Sequence, residues 1–116
     1  MDRRHRDRTP LFVPCLVHCA VTGRLLGHAV DLSPRGLRVV CARPLELFLD
    51  YPLVLRMDDG RTEVRELALE ARCVWTMREQ KPRVDSAGFE FRQVNPHLEA
   101  LLEEFGGRCR TRRQVS

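Results

Sequence analysis

The chain has 116 residues, 43% hydrophobic and 31% charged, enough for one core and one domain. Its longest uncharged run, residues 9–23, contains Pro14 and His18 and is too short and too polar to span a bilayer. The first eight residues, with four arginines and two aspartates, lack the form of a secretory leader. The expectation is a cytoplasmic protein without membrane insertion, too small for a multi-step enzyme with its own cofactor domain.

Apolar residues fill the odd positions Leu11, Val13, Cys15, Val17, Cys19 and Val21. A period of two predicts a first strand with one face in a core. After a turn at Thr22-Gly23-Arg24, residues 27–32 read as a second strand. Beyond Ser33-Pro34-Arg35-Gly36 the alternation resumes at Leu37, Val39 and Cys41, a third strand. Leu53, Leu55 and Met57 form a fourth and run into Asp58-Asp59-Gly60, a hairpin signal. Leu67, Leu69, Ala71, Cys73 and Trp75 share one face of a long fifth strand, so Trp75 is expected inward. Residues 79–86 are expected to be a polar loop, and Gly88-Phe89-Glu90-Phe91 a short sixth strand. Asn95 then caps a helix with Pro96 at its first position and an apolar stripe at Leu98, Leu101, Leu102 and Phe105. Gly106-Gly107 is expected to stop it. The fold class is mainly β: a small six-stranded antiparallel barrel over residues 11–105 with a C-terminal helix. A flexible arm at 1–10 precedes it and a basic tail at 106–116 follows.

The net charge of +4 is unevenly placed. Residues 1–8 carry +2 and residues 106–116 carry +4, which leaves −2 for the body. A mildly acidic body between basic ends is not the broad basic surface of a nucleic-acid-binding domain. A barrel that binds single-stranded nucleic acid also needs exposed aromatics, and Phe89, Phe91, Phe105 and Trp75 all have core parity. Five cysteines, with no CxxC spacing, read as reduced thiols rather than a metal or disulfide framework. No phosphate-gripping loop, metal helix or nucleophile elbow is present, so neither catalysis nor a metal is expected.

Two segments stand out. Arg4-His5-Arg6-Asp7-Arg8 has the spacing RxxxR just before the first strand. Asp31-Leu32-Ser33-Pro34-Arg35-Gly36 has the pattern DxSxxG between strands two and three. Together they make the chain resemble the PilZ domain family over roughly residues 3–105, whose members bind the bacterial second messenger cyclic di-GMP. The resemblance implies a single-domain receptor with ligand contacts from Arg4, Arg8, Asp31, Ser33 and Gly36. It implies lesser roles for Arg3, toward a second intercalated ligand, and for Trp75, near where some relatives place an aromatic on a guanine.

The chemistry fits that implication. The ligand is a dianion bearing two guanines, and guanine O6 and N7 are adjacent acceptors that a guanidinium fork engages bidentately. Asp31 offers carboxylate oxygens to the guanine N1–H and N2–H donors that an arginine cannot read. Ser33 offers a hydroxyl, and Gly36 permits a positive φ or a close backbone approach. A charged arm with few apolar anchors is expected to order on binding and to signal to an effector protein. A PilZ-like assembly or motility protein that does not bind nucleotide is the first alternative reading, and a small basic barrel that binds single-stranded nucleic acid is the second. The sequence leaves oligomeric state open.

Overall fold

The structure, a computed structural model, describes residues 14–58 and 64–110. Alternation is realised in β1 (Cys15–Cys19), β2 (Leu25–Leu32), β3 (Gly36–Cys41), β4 (Asp50–Asp58), β5 (Val64–Gln80) and β6 (Arg83–Phe91), followed by α1 (Pro96–Arg110). Every pairing is antiparallel, and the order β1-β2-β3-β6-β5-β4 returns to β1, closing six strands into a ring. Inward residues of all six strands make one core, including Cys15, Val17, Val39, Leu53, Leu55, Ala71, Cys73 and Ala87, each fully buried. At its rim the Tyr51 and Phe89 rings meet edge to face, 5.7 Å between centroids.

The helix begins as the sequence predicts. Asn95 Oδ1 accepts from the Leu98 amide at 2.8 Å, and Asn95 carbonyl oxygen from the Glu99 amide at 2.8 Å. Leu102 and Phe105 are buried and Leu98 packs on the core, while Leu101 stays 36% exposed. Beside the start of β5, Arg65 Nη1 approaches Glu104 Oε2 at 3.9 Å. Among the described residues no helix is long and apolar enough to cross a membrane.

Besides Val21, which is expected inward on the first strand but is 79% exposed in the turn after Cys19, three expectations need correction. Residues 79–86 are not a loop: β5 runs to Gln80, β6 starts at Arg83, and only Lys81-Pro82 connects them. This hairpin overruns the ring, since β3 pairs with β6 only as far as Ser86 and β4 with β5 only as far as Arg72. With neither face fully buried it shows no apolar alternation, and charge pairs lace it instead: Arg78 Nε to Asp85 Oδ1 at 2.8 Å and Arg83 Nη2 to Asp85 Oδ2 at 3.4 Å. Second, α1 does not stop at Gly106-Gly107 but continues through Arg110. A helical glycine costs roughly 1 kcal/mol, and burying Phe105 offsets about 1.5–3 kcal/mol, so the docked end stays helical. Third, Trp75 is not part of the core. Leu11, Val13 and Gly60 lie outside the described residues; the pair Asp58↔Val64 on either side of 59–63 is the register of a hairpin.

Candidate ligand-binding site

The turn between β2 and β3 is braced from within. Ser33 Oγ accepts from the amides of Arg35 at 3.2 Å and Gly36 at 3.3 Å, while the Ser33 amide donates to Gly36 carbonyl oxygen at 2.9 Å. The Phe91 amide donates to Arg35 carbonyl oxygen at 2.8 Å, tying the turn to the end of β6. Pro34 removes a backbone freedom inside this frame. At Gly36 the reason for glycine is close approach: a Cβ would run into the Phe89 carbonyl oxygen and stand 3.1 Å from its carbon. Of the two uses glycine could have had there, close packing is the one observed.

Two irregularities turn side chains outward onto one row. On β2 the register shifts between Ala29 and Asp31, so that buried Ala29 opposes Val39 while Asp31 opposes outward-facing Arg38. On β5 it shifts between Cys73 and Trp75, so that buried Cys73 opposes Phe89 while Trp75 opposes Gly88. Each bulge adds one residue and re-aims the side chains after it. Because Arg38 opposes Gly88 in turn, Asp31, Arg38, Gly88 and Trp75 lie side by side across β2, β3, β6 and β5. Asp31, 15% exposed, meets Arg38 Nε at 3.6 Å.

Next to this row is a cleft of about 210 Å³, walled by Asp31, Ser33, Arg35, Gly36, Trp75 and Glu90, with Leu37 and Phe89 at its floor. Pockets that enclose a drug-sized ligand hold about 300–1,000 Å³, so this surface supplies one wall of such a site. The cleft itself holds two carboxylates, Asp31 and Glu90, and one guanidinium group, Arg35; Arg38, beside it on the row, is paired to Asp31. Arg72 stands between Asp50 and Glu90 across the sheet and binds Asp50, with Nε to Oδ1 at 2.8 Å. That hydrogen bond holds Asp50 below the usual carboxylate range and raises Arg72.

A broader depression of about 420 Å³ lies elsewhere, over Leu16, His18, Cys19, Val54, Arg56 and Glu66. Its charged groups are matched to each other, Arg56 Nη1 to Glu66 Oε2 at 2.8 Å, and it contains none of the residues the sequence singled out. The thiols differ in character. Hydrogen bonds, first from the Thr22 side chain and then from the Thr22 and Val21 backbone, lower the Cys19 pKa. Burial pushes Cys41 up to about 11 and raises Cys73 as well. Among the described residues no three metal-ligating side chains converge.

Asp31, Ser33, Gly36 and Trp75 are therefore brought together, whereas Arg3, Arg4 and Arg8 lie outside the described residues. Sequence reading missed Arg35, Arg38, Gly88 and Glu90 at this site. Arg35 is the variable position just before the motif glycine, and Arg38 and Glu90 take outward parity, so their alternation was the available signal. Nothing in the sequence marks the partnership of Gly88 with Trp75.

The fold and the cleft define a small antiparallel β domain with a recess built on its outer wall. The sequence of residues 2–105 matches the PilZ domain family, and the chain belongs to that family. Solved structures share its fold. The PilZ domain of YcgR from Escherichia coli, with c-di-GMP, superposes with a TM-score of 0.66 at 14% identity, covering 88% of this chain and 87% of that one. The Bacillus subtilis inhibitor of motility MotI/DgrA gives 0.67 at 15% identity, covering 93% of this chain and 51% of that one. Escherichia coli YcgR in complex with c-di-GMP gives 0.62 at 18% identity, covering 84% and 42%. The chain thus spans about half or less of the latter two. No curated protein matches it.

Proposed function

We propose that this chain is a cytoplasmic receptor for cyclic di-GMP, a binding domain and not a catalyst, which passes its signal to an effector protein in motility or biofilm control. The observation that carries this reading is the row of Asp31, Arg38, Gly88 and Trp75 beside a cleft that also gathers Ser33, Arg35 and Gly36 in a PilZ domain. The c-di-GMP named with YcgR supports the choice of ligand.

The division of labour follows from charge. A wall that sets two carboxylates against Arg35, with Arg38 already paired to Asp31, cannot by itself hold a dianion, so the phosphates draw their counter-charge from Arg4 and Arg8. Asp31 accepts from the guanine N1–H and N2–H edge, and Trp75 offers a face for the base to stack on. Ser33 acts mainly through the turn it braces, because its oxygen already accepts two amides. Arg3 contacts a second ligand molecule if two stack in the site. Folding of residues 1–10 onto this wall makes the surface that the effector reads, an order–disorder switch.

Arg8→Ala removes a charge-assisted hydrogen bond of about 1.5–3 kcal/mol, roughly ten- to hundredfold in affinity. Titration calorimetry with cyclic di-GMP, with GTP and single-stranded RNA as controls, measures it. Unchanged binding by Arg8→Ala rejects the arm's role, and tighter binding of RNA that collapses with salt would move the protein to a different class.

A further inference from the structure

Trp75 is the only tryptophan, and two separate features put it on the outer wall. The β5 bulge reverses the inward parity it would inherit from Ala71 and Cys73. A side chain is then missing where the indole must lie: a Cβ at Gly88 would overlap indole Nε1 and Cε2 and stand 2.7 Å from Cδ1. The three nearest atoms to that Cβ all belong to Trp75, so the indole itself occupies the place of a residue-88 side chain. Gly88 opposes Arg38, which meets Asp31, so any displacement of the indole moves it relative to the carboxylate on the same row.

We infer that Gly88 is a positioning residue of the ligand site: its bare backbone seats the Trp75 indole at the height where a planar base can stack beside Asp31. This rests on the reading of the cleft as a nucleotide site. The nearest obstruction at 88 is a side chain, in contrast to Gly36, where it is the Phe89 main chain. Gly88 lines the cleft but has no side chain to offer a ligand. It acts through the indole alone.

Gly88→Ala tests this with two readouts. In ligand-free protein, the displaced indole should show an altered tryptophan emission maximum. With cyclic di-GMP, affinity should fall roughly ten- to hundredfold, the worth of one base–aromatic stack. Trp75→Ala should lose a similar factor, and Gly88→Ala added to Trp75→Ala should cost nothing more, because the clash is gone. That double variant also keeps the test valid if Gly88→Ala alone folds poorly. The inference is overturned if Gly88→Ala leaves emission and affinity unchanged, or if it weakens binding equally with and without the indole. Wild-type protein that binds no cyclic di-GMP while Gly88→Ala still shifts the emission overturns the nucleotide reading, and with it the binding role given to Gly88, but not the seating.

Discussion

Replacing Ser33 with alanine deletes one oxygen from the cleft wall and three contacts from the β2–β3 turn, two accepted amides and the hydroxyl's donation to Gly36 carbonyl oxygen. All three are long, 3.2 Å to the Arg35 amide, 3.3 Å to the Gly36 amide and 3.4 Å to Gly36 carbonyl oxygen, which keeps its bond from the Ser33 amide. The Arg35 amide is exposed and regains water, whereas the Gly36 amide is part-buried. At about 0.5–1.5 kcal/mol net for each intramolecular bond, and with one replaced by water, the expected loss is about 1 kcal/mol. For a chain of this size that corresponds to roughly 3–6 °C in Tm. Pro34 and the 2.9 Å bond from the Ser33 amide to Gly36 remain, so the turn should loosen without opening. Scanning calorimetry of the ligand-free protein reads the stability, and titration calorimetry should find an affinity loss below about tenfold. An unchanged Tm with a much larger affinity loss would refute the assignment, since the hydroxyl would then serve the ligand and not the turn.

Other outcomes rest on the same geometry. Leu102→Ala empties a fully buried position between α1 and the ring and should lower stability by about 2–5 kcal/mol in urea unfolding; a loss under about 1 kcal/mol would mean that the helix is only loosely docked. Asp50 and Asp85 titrate below their ordinary range, chiefly because Arg72 and Arg78 donate hydrogen bonds to them. A depressed folded pKa contributes stability that is complete above the unfolded value of about 4 and is lost as pH falls through the folded one. Melting curves should therefore decline in acid, and Asp85→Asn should flatten that decline; parallel curves would count against the pairing. Alkylation near pH 8 and then peptide mapping should find Cys19 modified well before Cys41, whose pKa is about 11, and before buried Cys15 and Cys73.

Alternation made the ring legible because a strand with one buried face must alternate. The inward sets on β3, β4 and β6 are those the sequence predicts, whereas β1 keeps Cys15, Val17 and the partly buried Cys19 and ends before exposed Val21. Asn95 and Pro96 marked the helix start for an equally local reason. What escaped was set by contacts distant in sequence. A bulge at Val30 or Val74 adds one residue without a compositional sign, yet it decides which way Asp31 and Trp75 point. The hairpin beyond Ser86 buries no residue fully, with Val84 and Asp85 only half-buried, so its residues have the composition of a loop while their backbones pair. The two glycines at 106–107 remain helical because Phe105 is anchored in the core, a tertiary gain that local propensity does not contain. Phe48 shows the same override. Its φ is 62°, unusual for an aromatic, and it is held there by bonds between Phe48 amide and Cys73 carbonyl at 2.7 Å and between Cys73 amide and Leu49 carbonyl at 3.0 Å.

Where the sheet closes on itself, each strand spends its hydrogen-bonding groups on two neighbours and offers nothing to a passing chain. Past that closure, residues 77–80 and 83–85 have a neighbour on one side only. An unguarded ribbon of this kind invites other molecules to stack against it. The arginines at 78 and 83 and the aspartate that pairs with both make such an approach electrostatically selective, and therefore sensitive to salt.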